Sequence, residues 1–263
     1  MQQFGLCHDS DGGLEQRYSQ NLTMRIAIVS DIHGNLTAFE AVIADLRQTS
    51  PDLIFHGGDL AHGGGRPVEV VERVRDLGWQ GVIGNTDEML AVPEALEEFA
   101  AQMPPHLQAL FSVIREQAAV TREALGDERL AWLTGLPRSQ AQGPMVLVHA
   151  SPESLWRAPG PEASDAELEP VYGPFGQPIA VYGHIHQPYI RKVSTLTVVN
   201  TGSVSLSYDG DPRASYLLLD DLEPEIRRVE YDVDAEIRAL EESRLPHANW
   251  LAKTLQIARF AMP

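Results

Sequence analysis

Three short apolar runs, each ending in a turn rich in Gly, Asp or His, alternate with two helix-period stretches over residues 26–83. No other feature constrains the fold as much. Ile26 to Val29 make a continuous apolar run of strand length, and the polar loop SDIHGN follows. Leu36, Phe39, Val42, Ile43 and Leu46 fall at helical spacing, and Pro51 ends that stretch. Leu53 to Phe55 make a second strand before HGGD. Val68, Val71, Val74 and Leu77 predict a helix closed by Gly78. Val82 and Ile83 close a third strand, which ends in GNTD. The order is β-α-β-α-β, which demands parallel pairing and right-handed crossovers.

Residues 88–137 read as a helical insertion. Leu107, Leu110, Phe111 and Ile114 mark one apolar face, and Asp127 opens a short helix ended by Gly135 and Pro137. Met145 to Val148 predict a strand ending at His149. Residues 152–178 are rich in Pro and Gly, with one short helix signalled by the capping-box spacing of Ser164 and Glu167. Ile179 to Tyr182 predict a strand ending in GHIH. The runs 189–193, 196–199, 215–219 and 226–231 predict an antiparallel group, and 234–242 and 248–258 predict closing helices. A chain of 263 residues that is 43% hydrophobic can bury ample core, and no linker divides it. The expectation is one domain over 24–263. Residues 1–23 are polar and aperiodic and predict a disordered tail, with Met24 a candidate start of translation.

Composition removes several classes. The formal net charge of −17 repels nucleic-acid backbone and anionic lipid, which disfavours long nucleic-acid polymers as partners. A small anionic substrate remains open, because bound cations can reverse the local potential. No run approaches the roughly 18 apolar residues of a membrane span, and no apolar stretch reads as a secretory leader. No membrane partner is expected. The single cysteine, Cys7, excludes an internal disulfide framework and suits a reducing, cytoplasmic compartment.

Five polar segments each follow a predicted strand: Asp31-Ile32-His33, Gly58-Asp59, Gly84-Asn85, His149 and Gly183-His184-Ile185-His186. Ligands in open α/β sheets gather beyond the carboxyl ends of strands, so the strand order carries all five to one edge. They offer two carboxylates (Asp31, Asp59), one amide (Asn85) and four imidazoles (His33, His149, His184, His186). Mixed oxygen and nitrogen donors suit Mn²⁺ first, with Fe, Zn²⁺ or Ni²⁺ as alternatives, and do not suit Ca²⁺. Seven donors exceed one ordinary site and fit two divalent ions that share a carboxylate. Each piece alone is weak, since a D-x-H tripeptide arises by chance and a lone histidine is most often a surface residue. The ordered set carries the reading.

DIH, GGD, GNTD, VHAS and GHIH, in this order, resemble the calcineurin-like metallophosphoesterases, and GDLAHGGGRPVEVV and NTGSVSLSYDGDPRASYLLLD resemble a bacterial subgroup of small phosphodiesterases. The resemblance runs from about Met24 to Tyr231. It implies an α/β (α+β) fold, a two-sheet β-sandwich flanked by helices. It implies that Asp31, His33, Asp59 and His186 hold one metal and that Asp59, Asn85, His149 and His184 hold the other, with Asp59 bridging. It further implies hydrolysis of a P–O bond of a small phosphate ester by in-line attack of a hydroxide shared by the metals.

In most of the family the residue after the GN pair is a histidine that contacts phosphate and assists the leaving group; here it is Thr86. A hydroxyl binds phosphate but is a poor proton donor, and losing a positioned acid costs about 10²–10⁴ in rate. This departure favours a phosphodiesterase with activated diesters. A phosphomonoesterase or dinucleoside-polyphosphate hydrolase is the alternative, and a metal-bearing scaffold with little turnover is the reading from another class. His62 and Arg66, in the loop HGGGR, are candidates to replace the acid or to bind substrate, against the plainer reading of a solvated loop. Asp87 reads as a helix cap or a partner of a ligand, Trp156 as a pocket wall or a packing residue, and His56 as a near-core histidine or a neighbour of the ligands. His8, His106 and His247 read as surface. The insertion at 88–137 either covers the pocket or forms a contact in a homo-oligomer.

Overall fold

The computed structural model describes residues 24–263, so the expectations for the first 23 residues and for His8 lie outside the described residues. Its first part runs β1 (Arg25–Val29), α1 (Leu36–Thr49), β2 (Leu53–His56), α2 (Pro67–Leu77) and β3 (Gln80–Gly81). Parallel pairing places Val29 opposite His56 and His56 opposite Gly81. The third strand is shorter than its apolar run suggests. Val82 donates to the His56 carbonyl, but Ile83 turns to the Pro137 carbonyl, so the ladder stops before the GNTD turn.

Helices α3 (Asn85–Ala91), α4 (Pro93–Ala100) and α5 (Gln108–Thr134) fill the insertion, which begins three residues earlier than the sequence suggests. Gly126 breaks α5 with φ 68° and ψ 169°, so the segment opened by Asp127 is the second half of a kinked helix. Strands β4 (Ser139–Gln142), β5 (Met145–Val148), β6 (Ile179–Tyr182), β7 (Tyr189–Val193) and β8 (Leu196–Asn200) build the second sheet, with α6 (Asp165–Tyr172) between β5 and β6. The capping box at α6 is present, with Ser164 N–H donating to Glu167 Oε2 at 2.8 Å. β9 (Ala214–Asp220) and β10 (Glu223–Val229) return to the first sheet, and α7 (Val233–Glu242) and α8 (Ala248–Ile257) close the chain.

The sheet orders are β10-β9-β1-β2-β3 and β4-β5-β6-β8-β7. The predicted antiparallel group holds for β7 with β8 and β9 with β10, while β8 also lies parallel to β6. Strand periodicity explains the layers. Ile26 and Ile28 of β1 join Met145, Leu147, Ile179 and Val181 in a core between the sheets. Ala27 and Val29 point the other way, onto Phe39, Val42 and Val71 of α1 and α2. On the far side, Val146, Ala180 and Val198 pack on Leu168 and Tyr172 of α6. The result is a two-sheet sandwich with helices on both outer faces. β1, β2 and β3 run parallel, as do β5 and β6, so their carboxyl ends meet along one edge. No helix among the described residues is long and apolar enough to cross a membrane.

Candidate metal centre

All seven predicted donors converge at that edge, and six of them are nearly or fully buried: Asp31, His33, Asp59, Asn85, His149 and His186. Hydrogen bonds stitch the two sheets together here. Asp31 accepts from the His184 N–H at 3.1 Å, and His149 Nδ1 donates to the Gly57 carbonyl at 2.8 Å. The backbone itself is strained. Asp31, His33, Asp59, His184 and His186 have φ of 58°, 49°, 54°, 67° and 56°, the left-handed region that non-glycine residues avoid at about 1–2 kcal/mol each. Glycines permit the close approach. A Cβ on Gly84 would lie 2.0 Å from Asp59 Oδ1, and one on Gly183 would lie 2.3 Å from Asp31 Oδ2.

The imidazoles are oriented from behind. Nδ1 of His33, His149 and His186 lies 2.7, 2.8 and 2.6 Å from the carbonyl oxygens of His62, Gly57 and Leu206. A carbonyl only accepts, so Nδ1 of each ring carries a proton and Nε2 is the atom turned inward. Burial works against a charged His149, but the neighbouring Asp59 and Asp31 carboxylates outweigh it and raise that ring's pKa. Those Nε2 atoms meet other polar atoms of the site. His33 Nε2 is 3.2 Å from His186 Nε2, and His149 Nε2 is 2.9 Å from Asn85 Oδ1. His184 reaches the same Asn85 oxygen through Nδ1, also at 2.9 Å. Facing lone pairs repel unless a cation lies between them, and burial lowers the pKa of His33, which works against a proton in that place. The donor set therefore fits metal ions.

Asp59 touches both halves. Its Oδ2 is 3.7 Å from His33 Nε2 and its Oδ1 is 3.5 Å from His149 Nε2. Two candidate clusters, Asp31-His33-His186 and Asp31-Asp59-His149, each hold donor atoms within 4.8 Å of one another. Burial alone would raise the Asp59 carboxyl, but His149 and His33 hold it below the usual carboxylate range. Asp31 is likewise pulled down against burial, chiefly by His186. His184 is pushed down to about 4 by burial and by His149, so this ring is neutral.

Asp87 is both things the sequence suggested. Its Oδ2 accepts from Gly84 N–H at 3.1 Å, at the start of α3, and from Asp59 N–H at 2.8 Å, while Oδ1 accepts from Leu60 N–H at 3.0 Å. It clamps one site turn to another. Burial and the Asp59 charge push its carboxyl up to about 6.

A cavity of about 170 Å³ opens over the donors and is lined by Thr86, His62 and Trp156 among others. Thr86 N–H donates to Asp59 Oδ1 at 2.9 Å, and its buried hydroxyl has no partner among the described residues. Burial pushes His62 down to about 3, so it faces the cavity as a neutral ring. Arg66 requires a correction. It does not line this cavity, because its guanidinium is drawn to Thr37 and to the buried carboxylate of Glu236, at 3.1 Å. His56 is a buried core residue beside Trp132, and neither ring nitrogen has a partner among the described residues. His106 and His247 are exposed. Sequence reasoning missed Tyr208, which stacks on His186 at 4.6 Å, and the C-terminal residues Trp250 and Phe260 in the cavity wall. Only an aromatic composition near the chain end hinted at the latter.

The sequence model of the calcineurin-like phosphoesterase superfamily domain matches residues 24–222. The chain belongs to that superfamily. A calcineurin-like phosphoesterase chain with these buried donor clusters implies divalent metal ions and phosphoesterase hydrolase activity. An uncharacterised protein of Methanocaldococcus jannaschii is 30% identical over 257 residues, covering 89% of this chain and 98% of its own. The crystal structure of a metallophosphoesterase from Sphaerobacter thermophilus is similar at a TM-score of 0.72 and 28% identity, covering 90% of this chain and 99% of that one. A hypothetical protein from Pyrococcus horikoshii OT3 reaches 0.74 at 19% identity, covering 89% and 97%, a likeness of fold.

Proposed function

We propose that this calcineurin-like phosphoesterase is a dinuclear, metal-dependent phosphodiesterase acting on a small phosphate ester. The carrying observation is the set of inward Nε2 atoms at His33, His149 and His186, held by carbonyls from behind and gathered with the Asp31 and Asp59 carboxylates in front. In this reading Asp31, His33, Asp59 and His186 hold one ion, and Asp59, Asn85, His149 and His184 hold the other. Two divalent ions, Mn²⁺ in the first instance, supply a nucleophile at neutral pH and offset the charge of the phosphoryl group. Asp59 orients both halves, and Asp87 keeps Asp59 in place. The Thr86 hydroxyl binds a phosphoryl oxygen without supplying a strongly acidic proton, which suits a diester whose leaving group departs unaided. No lysine or arginine lines the cavity among the described residues, so a monoester dianion or a polyphosphate chain finds no cationic side chain there.

Turnover of an aryl phosphodiester, the matching monoester and a dinucleoside polyphosphate by the Mn²⁺-loaded protein tests the reading. The diester should be hydrolysed fastest. Faster monoester or polyphosphate turnover overturns it, and no turnover on any substrate favours a scaffold. Asp59→Asn should lose bound metal and activity while circular dichroism stays unchanged; retained activity removes the metal reading.

A further inference from the structure

The floor of the cavity is polar, but the wall that faces it is not. Leu110 and Ile114 of α5, Trp250 and Leu251 of α8, Tyr208 and Phe260 line it together. The chain end is folded back to complete this wall. Gly210 N–H donates to the Ala258 carbonyl at 2.8 Å, Trp250 Nε1 donates to the Ala261 carbonyl at 2.6 Å, and the Phe260 ring meets Tyr208 edge-on at 5.7 Å. Tyr208 in turn stacks on His186, so the aromatic wall begins at a donor residue itself.

We infer that the cavity takes a phosphodiester whose retained ester group, the one not expelled in hydrolysis, is a flat apolar or aromatic ring, seated between α5, α8 and the C-terminal segment. The inference rests on the phosphodiesterase reading and deepens it. Size agrees: about 170 Å³ is close to the roughly 150 Å³ apolar cavity known to accept benzene. One polar side chain interrupts the wall. Gln117 is fully buried and gives its Nε2 to the Pro246 carbonyl at 2.8 Å, while its Oε1 has no partner among the described residues. An N–H at the edge of a ring, as on a nucleobase, would satisfy it.

Three diesters sharing a 4-nitrophenolate leaving group test this: the methyl, phenyl and thymidine 5′ esters of 4-nitrophenyl phosphate. The Mn²⁺-loaded protein should favour at least one ring-bearing ester over the methyl ester by about 10–100-fold in kcat/KM. The better ring names the source, an aryl group if phenyl leads and a nucleoside if thymidine leads. Equal kcat/KM for all three overturns the inference while leaving the phosphodiesterase reading intact. If no diester turns over, that reading fails separately, and binding still decides. Diphenyl phosphate should then quench the fluorescence of Trp156 and Trp250 at about tenfold lower concentration than dimethyl phosphate, and equal affinity overturns the wall. Trp250→Ala should move the ring-to-methyl ratio towards one. Phe260→Ala, at a residue 47% exposed and not needed for the core, should move it the same way if the first variant does not fold. An unchanged ratio in a folded variant of both overturns the inference.

Discussion

The Nε2 atoms of His33 and His186 face each other at 3.2 Å, while both Nδ1 atoms are tied to main-chain carbonyls. The contact joins a loop of the first sheet to a loop of the second, and it is attractive only around a cation. Removing the ions should therefore weaken the fold. At about a hundredfold excess over its dissociation constant, one ion adds about 2.7 kcal/mol. For a chain of this size that corresponds to a Tm lower by roughly 5–10 °C after chelation. Scanning calorimetry before and after chelation, then after Mn²⁺ is restored, measures it. A Tm indifferent to both steps would count against the metal centre.

Thr86 stands where a proton donor would speed esters with poor leaving groups. Thr86→His should raise kcat on an alkyl diester by about 10²-fold or more and change an activated aryl diester far less. A uniform effect on both would mean that another group, with His62 the next candidate, already protonates the leaving oxygen.

Asp87 satisfies three buried N–H groups, those of Asp59, Leu60 and Gly84. Asp87→Ala leaves these donors unpaired and should lower unfolding stability by about 3 kcal/mol or more, since each lost partner costs about 1–3 kcal/mol. It should also weaken metal affinity, because Asp59 loses its clamp. Denaturant midpoints and metal titration read the two effects. Metal affinity within threefold of the parent would show that Asp59 holds its position alone.

His56 should govern part of the acid limb of stability. Burial lowers its pKa from 6.5 to about 4, so the folded state resists the proton that the unfolded chain takes up. Its contribution is fully present above pH 6.5 and is lost as pH falls towards 4, by about 3 kcal/mol at most. His56→Leu removes two unpartnered ring nitrogens and should flatten the stability profile in that window. A profile of unchanged slope would place the acid sensitivity elsewhere.

The convergence of the candidate donor residues was legible in the sequence because a parallel strand order sends every strand end to one edge. The run from Ile26 to Val29 followed by DIH is enough to place Asp31 and His33 there. What was not legible depends on distant partners. β4 is polar, SQAQ, and is a strand only because Val146 and Val148 of β5 pair with it. The direction of Arg66 depends on Glu236, which is 170 residues away and buried. Trp250 and Phe260 reach the cavity only because α8 packs on α7 and the chain end folds back to bond Gly210 and Trp250, which no local periodicity encodes.

β1 meets β2 soon after both are made, but its other edge is filled by β9, with Arg25 opposite Asp220. During synthesis this buried central strand carries an open edge until most of the chain has left the ribosome. An apolar edge exposed for so long invites pairing with a second nascent chain. GHIH emerges before β9 does, so all seven donors exist before the sheet that holds the first of them is complete. Whichever forms first in the cell, metal centre or closed sheet, sets how long that edge stays open.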